Sequence, residues 1–100
     1  MMALEKKLQQ EVMKNCGLAE KEYGCKMTRF LKTIERFGIV RTAQEIFRKG
    51  RTSDCFNKLA EAGHLELTME ATIVKGEYAE LFTDEQVNYC YELLCEKGYY

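Results

Sequence analysis

The sequence predicts an all-α fold, a single compact domain of five to seven short helices. Apolar residues recur at every third or fourth position through most of the chain, which is the spacing of one helix face. The seven glycines are dispersed between these stretches, where they can end helices, and the chain has no proline. With 100 residues there is room for one hydrophobic core. We divide the domain into an N-terminal helix (1–17), a basic helical part (19–63) and an acidic helical part (64–100).

Two helices are predicted before residue 38. Apolar residues at every fourth position from Leu4 to Cys16 predict a helix over 1–17 that Gly17 ends. Over 19–37, apolar residues share one side and basic residues the opposite side, so we expect an amphipathic helix with a basic outer face that ends before Gly38. The apolar residues are Tyr23, Met27, Phe30, Leu31, Ile34 and Phe37, and the basic residues are Lys26, Arg29, Lys32 and Arg36.

Two shorter helices are expected over 42–63. Thr42-Ala43-Gln44-Glu45 has the Ser/Thr-x-x-Glu form of a capping box, which predicts a third helix from Thr42 to Gly50. Ser53 is the predicted N-cap of a fourth helix, which Gly63 ends in a left-handed conformation. The apolar face of this fourth helix carries Phe56, Leu59 and Ala60.

The last third of the chain follows the same pattern. Residues 64–67 alternate between apolar and polar over too short a stretch to build a sheet. Thr68 predicts the N-cap of a short helix through residue 74, and another helical turn is expected over 77–82. Thr83-Asp84-Glu85-Gln86 is a second capping-box sequence, and the final helix that follows ends at Gly98. Its predicted buried stripe is Val87, Cys90, Tyr91, Leu94 and Cys95.

Charge is unevenly distributed along the chain. Residues 1–25 are neutral, residues 26–58 carry nine Lys and Arg against three Asp and Glu, and residues 59–100 carry two against nine. The whole chain has a formal net charge of −1. Such a basic segment indicates either a site for a polyanion or an attraction between the two oppositely charged halves, and the sequence leaves both open.

Several classes of protein are disfavoured. No apolar run approaches the roughly 20 residues of a membrane span, and residues 1–10 lack the apolar stretch of a secretory signal, so we expect a cytoplasmic protein without membrane contact. The five cysteines are odd in number, which favours reduced thiols over a disulfide framework. Their closest pair, Cys90 and Cys95, together with a single histidine does not fit a zinc site. We expect no metal and no cofactor.

Catalysis is also disfavoured. Cys55, near a helix N-terminus, could have a lowered thiol pKa and pair with His64, but the sequence offers no third group to orient the pair. The acidic residues of the C-terminal part are spaced as on solvated helix surfaces, and no glycine-rich phosphate loop is present. The sequence therefore predicts a protein that is not an enzyme.

Residues 27–98 carry an ordered set of short motifs. These are Thr28-Arg29-Phe30-Leu31, then Thr42-Ala43, then SDxFxxLxExGxLxLTxEA from Ser53 to Ala71, then Tyr78-x-x-Leu81-Phe82-Thr83. With this pattern the chain resembles a family of short, uncharacterised bacterial proteins of the mobile-element type. The resemblance implies a compact helical domain without assigned catalytic residues. The chain departs from the pattern at Cys55, where the family is expected to have glycine, and at His64, where arginine is common.

Two binding hypotheses follow. In the first, the chain is a small interaction or regulatory protein of bacterial or mobile-element origin, by analogy an inhibitor of a defence system or an accessory factor. It binds a protein partner or a second copy of itself. Its partner surface would be Tyr89, Leu93, Tyr99 and Tyr100, which lie off the buried stripe or beyond the last helix. In the second, residues 42–50 and 53–63 form a helix-turn-helix that binds nucleic acid. Its contact residues would be Lys26, Arg29, Arg36, Arg48, Lys49, Arg51, Asn57 and Lys58.

Overall fold

The computed structural model describes residues 2–100 of the chain. These residues contain six α-helices and two short 3₁₀ helices, joined by loops. The α-helices are α1 (Met2–Tyr23), α2 (Thr28–Phe37), α3 (Ile39–Arg48), α4 (Phe56–Ala62), α5 (Met69–Ile73) and α6 (Asp84–Glu96). The 3₁₀ helices are Leu65–Leu67 and Ala79–Leu81. No strand occurs among these residues, so the predicted all-α fold is confirmed. Met1, which the sequence placed in the first helix, lies outside the described residues.

Helix α1 continues past Gly17, so its predicted end is wrong. Gly17 is exposed and a Cβ there would meet no other atom within 4 Å, so this glycine only weakens the helix, by about 1 kcal/mol relative to alanine. Ala19, which is fully buried, continues the apolar stripe beyond it. The helix ends at Gly24, whose φ is +70°, and the N–H of Cys25 donates to the carbonyl of Ala19. The predicted second helix is therefore divided between α1 and α2.

Helix α3 begins at Ile39, before the predicted cap at Thr42. Gly38, with a φ of +87°, reverses the chain after α2, and Gln9 of α1 accepts the N–H of Ile39 at 3.1 Å. The Thr42 hydroxyl lies inside α3 and donates to the carbonyl of Gly38 at 2.7 Å. The predicted capping box is wrong because the glycine turn and Gln9 start the helix one turn earlier.

Ser53 is not the N-cap of α4. The residue before this helix is Cys55, whose backbone is left-handed with a φ of 66°. The backbone N–H and the hydroxyl of Ser53 instead donate to the two carboxylate oxygens of Glu70, each at 2.7 Å. The Ser53 hydroxyl, which was predicted to cap α4, is therefore hydrogen-bonded to the carboxyl group of Glu70 in α5. Gly63 ends α4 in the left-handed conformation, as predicted.

The two remaining caps are confirmed. The Thr68 hydroxyl accepts the N–H of Ala71 at 3.2 Å at the start of α5. At α6 the Thr83 hydroxyl accepts the N–H of Gln86 at 3.2 Å, and the Gln86 side chain accepts the N–H of Thr83 at 3.0 Å. Both arrangements need only residues within one helical turn.

The main core lies between α1 and the other helices. Helix α1 packs on α3, on α5 and on the first 3₁₀ helix, and α5 packs on α6. A smaller apolar cluster of Phe56, Leu65, Ala71 and Leu94 joins α4 to α5 and α6. None of the helices in residues 2–100 is both long enough and apolar enough to cross a membrane.

The buried face of α6 is rotated from its predicted position. Cys90 and Leu94 are buried as expected, but Tyr91 is 46% exposed and Cys95 is exposed. Tyr89 and Leu93, predicted to face solvent, are half-buried. The reason is that Phe47 of α3 covers Tyr89, while the smaller apolar cluster covers Leu93.

Candidate polyanion-binding face

Helices α2 and α3 present a set of exposed cationic side chains, which we call the α2–α3 face. The two helices pack against each other after the tight turn at Gly38. Helix α2 buries Phe30 and Ile34, and α3 buries Ile39, Ala43 and Phe47. The basic residues between these positions are therefore left in solvent. They are Arg29, Lys32 and Arg36 of α2, Arg41 and Arg48 of α3, and Lys49 and Arg51 just after α3.

Phe37 lies at this face and is 47% exposed, so its predicted burial is wrong. It is the last residue of α2, and because Gly38 then turns the chain, Ile39 enters the core at 0% exposure. Two guanidinium groups flank the ring. The Cζ of Arg36 lies 5.3 Å, and that of Arg41 5.6 Å, from the ring centroid. Both distances are within the roughly 6 Å of a cation–π contact.

A groove runs along the contact between α2 and α3. One part, of about 350 Å³, is lined by Thr33, Phe37, Arg41, Thr42, Glu45 and Lys49. The other, of about 250 Å³, is lined by Arg29, Phe30, Thr33, Thr42, Glu45, Ile46, Lys49, Arg51 and Asp54. We call the two together the α2–α3 groove because they share four of their lining residues. The groove thus has an exposed aromatic ring at one end and four cationic side chains along it.

The acidic residues of the groove only partly offset these cations. Glu45 lines both parts and pairs with Arg48, with 2.7 Å between the Oε1 of Glu45 and the Nη2 of Arg48. The hydrogen bond from Arg48 lowers the pKa of Glu45, so this carboxyl stays ionised at neutral pH. Arg48 does not line the groove itself. Asp54 lines only the part next to Arg29 and Arg51.

The charges of the basic segment are not cancelled by direct pairing with the acidic segment. Over residues 2–100, no Lys or Arg of 26–58 forms an ion pair with a carboxylate of 59–100. The long-range pairs instead join α1 to the loop after α5, through Lys7 with Glu77 at 2.8 Å and through Lys75 with Glu11. Arg48 pairs with Glu45 of its own helix, and the other cations of the α2–α3 face are exposed and form none of these ion pairs.

Five predicted contact residues lie outside the groove. Arg36 and Arg48 belong to the α2–α3 face but do not line the groove. Lys26, Asn57 and Lys58 are exposed but line neither part of it. Helix α4 packs mainly on the first 3₁₀ helix, whereas α3 packs on α1, α2 and α6. The main packing partners of α3 and α4 are therefore other elements, whereas the two helices of a helix-turn-helix are joined by a tight turn and pack on each other.

The C-terminal aromatic residues form a separate exposed cluster. The rings of Tyr91 and Tyr100 stack with their centroids 5.0 Å apart, and those of Tyr99 and Tyr100 meet edge-on at 4.9 Å. Tyr99 and Tyr100 are exposed as predicted. Tyr91 belongs to the cluster but was missed, since its spacing matches the apolar stripe of α6.

Tyr89 and Leu93 do not belong to this surface. The Tyr89 ring packs against Phe47 with centroids 5.4 Å apart, and its hydroxyl donates to the carbonyl of Arg51 at 2.9 Å. Leu93 packs on the smaller apolar cluster. The prediction that this pair is exposed is wrong because α3 and α4 cover that side of α6.

Cys55 and Cys16 do not have the lowered pKa of a nucleophilic thiol. Burial raises the pKa of Cys55 to about 11, and a hydrogen bond with Cys25 adds to the effect, which is opposite to the lowering considered from the sequence. Burial raises the pKa of Cys16 to about 12. His64 is engaged elsewhere, stacked on Tyr23 at 4.4 Å and with its Nδ1 3.0 Å from Glu66. Within residues 2–100 no three His, Cys, Asp or Glu side chains are grouped as metal ligands.

No family model, no curated protein and no solved structure matches this chain. The resemblance of residues 27–98 to short bacterial proteins therefore stays a prediction, and a function has to be proposed from the geometry of the chain itself.

Proposed function

We propose that the protein is a non-enzymatic binding protein that holds nucleic acid on the α2–α3 face. The proposal is supported above all by Phe37, an exposed aromatic ring that two guanidinium groups approach within about 6 Å and that lines a cationic groove. Cations attract the phosphate backbone, and an aromatic ring adds a stacking surface for a base. The expected cytoplasmic location agrees with such a ligand.

The overall charge does not oppose this function. Electrostatic attraction depends on the local distribution of charge, and the net charge of −1 arises largely from residues 59–100. Because the cations of α2 and α3 are not paired with those acids, an approaching strand meets a positive surface.

The test compares two triple variants that remove the same charge. Arg29→Gln/Arg36→Gln/Lys49→Gln removes three cations from the α2–α3 face, and Lys6→Gln/Lys14→Gln/Lys21→Gln removes three exposed cations from α1. Fluorescence anisotropy measures their affinities for a labelled single strand and for its duplex across a salt series. We expect the first variant to lose about 10-fold or more in affinity and to show a shallower salt slope. No binding by wild type, or equal losses in both variants, would refute the proposal.

A second candidate function rests on the C-terminal aromatic cluster. Tyr91, Tyr99 and Tyr100 are exposed, and the ring of Tyr100 stacks on Tyr91 and meets Tyr99 edge-on. Beside them is a depression lined by Asn88, Tyr91, Glu92, Cys95 and Glu96. Exposed aromatic residues with an acidic rim suit a protein partner or a second copy of the chain. This candidate keeps the hypothesis of a small bacterial interaction protein but moves its surface away from Tyr89 and Leu93. Sedimentation equilibrium of wild type against Tyr91→Ser/Tyr100→Ser tests self-association, and a wild-type chain that is monomeric at all concentrations would count against a second copy.

A further inference from the structure

We infer that the α2–α3 groove binds single-stranded nucleic acid in preference to duplex, with one base stacked on Phe37. This inference rests on the proposed function and adds to it the class of nucleic acid and the side chain that selects it.

Phe37 has the position and chemistry of a stacking platform. Its side chain has no polar group that would favour exposure, yet it is 47% exposed, while the other phenylalanines are buried. It stands next to the groove and not on an isolated convex surface. Stacking of a base on an aromatic ring contributes about 5- to 150-fold to affinity per base in proteins that bind single strands.

The two arginines hold the ring and supply charge at the same point. Arg36 belongs to α2 and Arg41 to α3, so one arginine precedes the Gly38 turn in the sequence and the other follows it. A base that stacks on the ring displaces one guanidinium from its face. A phosphate of the same strand then offers that guanidinium a charge-assisted hydrogen bond. Lys49, which lines both parts of the groove, extends this positive charge along the path of the strand.

A duplex cannot use this platform. Its bases are paired and stacked on each other, so their π-faces are covered and only phosphates and groove edges are presented. In the described chain, α3 and α4 also pack mainly on other elements, whereas duplex recognition by a helix-turn-helix uses two helices held together as one unit. A flexible single strand can follow the groove and expose one base to Phe37.

The experiment uses the full chain and measures affinities by fluorescence anisotropy. The probes are a labelled oligothymidylate, an abasic strand of the same length and a duplex of that length. An oligouridylate and free thymidine monophosphate show whether the strand can be RNA and whether a single nucleotide suffices. The variant is Phe37→Leu, and the control is Leu18→Ala, because Leu18 is an apolar residue of α1 that is 37% exposed and lines neither part of the groove. Circular dichroism checks that both variants remain folded.

We expect wild type to bind the oligothymidylate more tightly than the abasic strand or the duplex. Phe37→Leu should lose about 5- to 10-fold in affinity for the oligothymidylate, with unchanged affinity for the abasic strand, and Leu18→Ala should behave as wild type. If Phe37→Leu binds the oligothymidylate as wild type does while the Arg29/Arg36/Lys49 variant is weakened, stacking is refuted and the proposed function stands. Tighter binding of the duplex than of the oligothymidylate would also refute the inference. So would thymidine monophosphate if it competed as strongly as an unlabelled oligothymidylate. Absence of any binding refutes both proposals.

Discussion

Cys55 adopts a backbone conformation that glycine usually occupies. Its φ of 66° and ψ of 11° are left-handed, and it is the one non-glycine residue with positive φ in the described part of the chain. The conformation is retained because the neighbouring Ser53 is bound to Glu70 and the carbonyl of Cys55 accepts the N–H of Leu59 at 2.9 Å. It costs about 1–2 kcal/mol for a residue with a Cβ, which gives a physical reason for the glycine expected here in the resembling family.

We predict opposite effects of exchanging glycine and alanine at two positions. Cys55→Gly should be more stable than Cys55→Ala by about 1 kcal/mol, because only glycine avoids the left-handed penalty. Gly17→Ala should be stabilising by about 1 kcal/mol, because Gly17 is inside α1 and its surroundings leave room for a Cβ. Urea unfolding of the variants measures both differences. Equal stability of the two variants at position 55 would contradict the strain argument.

Among the helices, α6 was predicted at the correct position in the sequence, but the wrong side of it was predicted to be buried. Its bounds and its capping box were predicted correctly. The pattern of apolar residues, however, allows two overlapping stripes, one containing Tyr91 and Cys95 and the other containing Tyr89 and Leu93. Contacts with α3 select the second stripe, and the ring of Tyr89 packs on Phe47.

The two stripes predict different stabilities for two double variants. Tyr89→Ser/Leu93→Ser should lower the free energy of unfolding by about 3 kcal/mol or more, because both side chains pack on apolar clusters. Tyr91→Ser/Tyr100→Ser should lower it by less than about 1 kcal/mol, because both residues are exposed. Chemical unfolding measures both values. The reverse order would restore the orientation that the sequence suggested.

The same contrast holds for the helix caps. Thr68 and Thr83 bond to an N–H three residues ahead, so a local motif was enough to predict them. Ser53 and Thr42 carry equally suitable hydroxyls. The Ser53 hydroxyl binds Glu70 of α5, and Thr42 lies inside α3 because that helix begins at Ile39. A motif of four residues contains neither Glu70 nor Ile39.

At the scale of the whole molecule, Glu70 connects the basic and acidic parts of the chain. Its side chain is fully buried and accepts both hydrogen bonds from Ser53. Burial raises the pKa of Glu70, and the hydrogen bonds from Ser53 oppose that effect without cancelling it. A raised pKa means that the folded protein binds the proton more tightly than the unfolded chain does. The contribution of Glu70 to stability is therefore full below its ordinary pKa of 4.5 and is lost as the pH rises through the folded-state value.

We predict that Glu70→Gln reduces the dependence of stability on pH above about 4.5. The glutamine can still accept the N–H of Ser53 and donate to its hydroxyl, and it carries no buried charge at neutral pH. The free energy of unfolding measured by urea between pH 4.5 and 8 should therefore fall less with pH than in wild type. Glu61→Gln, at an exposed position of α4, is the control and should follow wild type. Parallel curves for Glu70→Gln and wild type would contradict the role assigned to Glu70.

A second carboxyl acts in a different pH range. Burial raises the pKa of Glu11, but the hydrogen bonds from Lys75 and Tyr78 outweigh that effect and lower it. Its contribution to stability is therefore present above the ordinary value of 4.5 and is lost as the pH falls through the lower, folded-state value. Since that loss occurs below 4.5, it leaves the range used to test Glu70 largely unaffected.

The features that could be predicted from the sequence are those that depend on residues within one or two turns of helix. These are the all-α class, the ends of helices at Gly38 and Gly63, the caps at Thr68 and Thr83, and the exposure of the basic residues of α2. Each follows from a φ angle, a local hydrogen bond or a period of 3.6 residues.

The packing of distant helices determines which apolar side chains lie outside the core and which hydrogen-bond partners the polar groups have. Phe37 is exposed because the chain turns at Gly38, Tyr89 is covered because α3 packs beside α6, and Ser53 bonds to Glu70 because α5 lies against its loop. The candidate groove likewise exists only where α2 meets α3. The physical reason is that burial and hydrogen bonding between distant segments depend on which helices pack together, and a local pattern of residues does not contain that information.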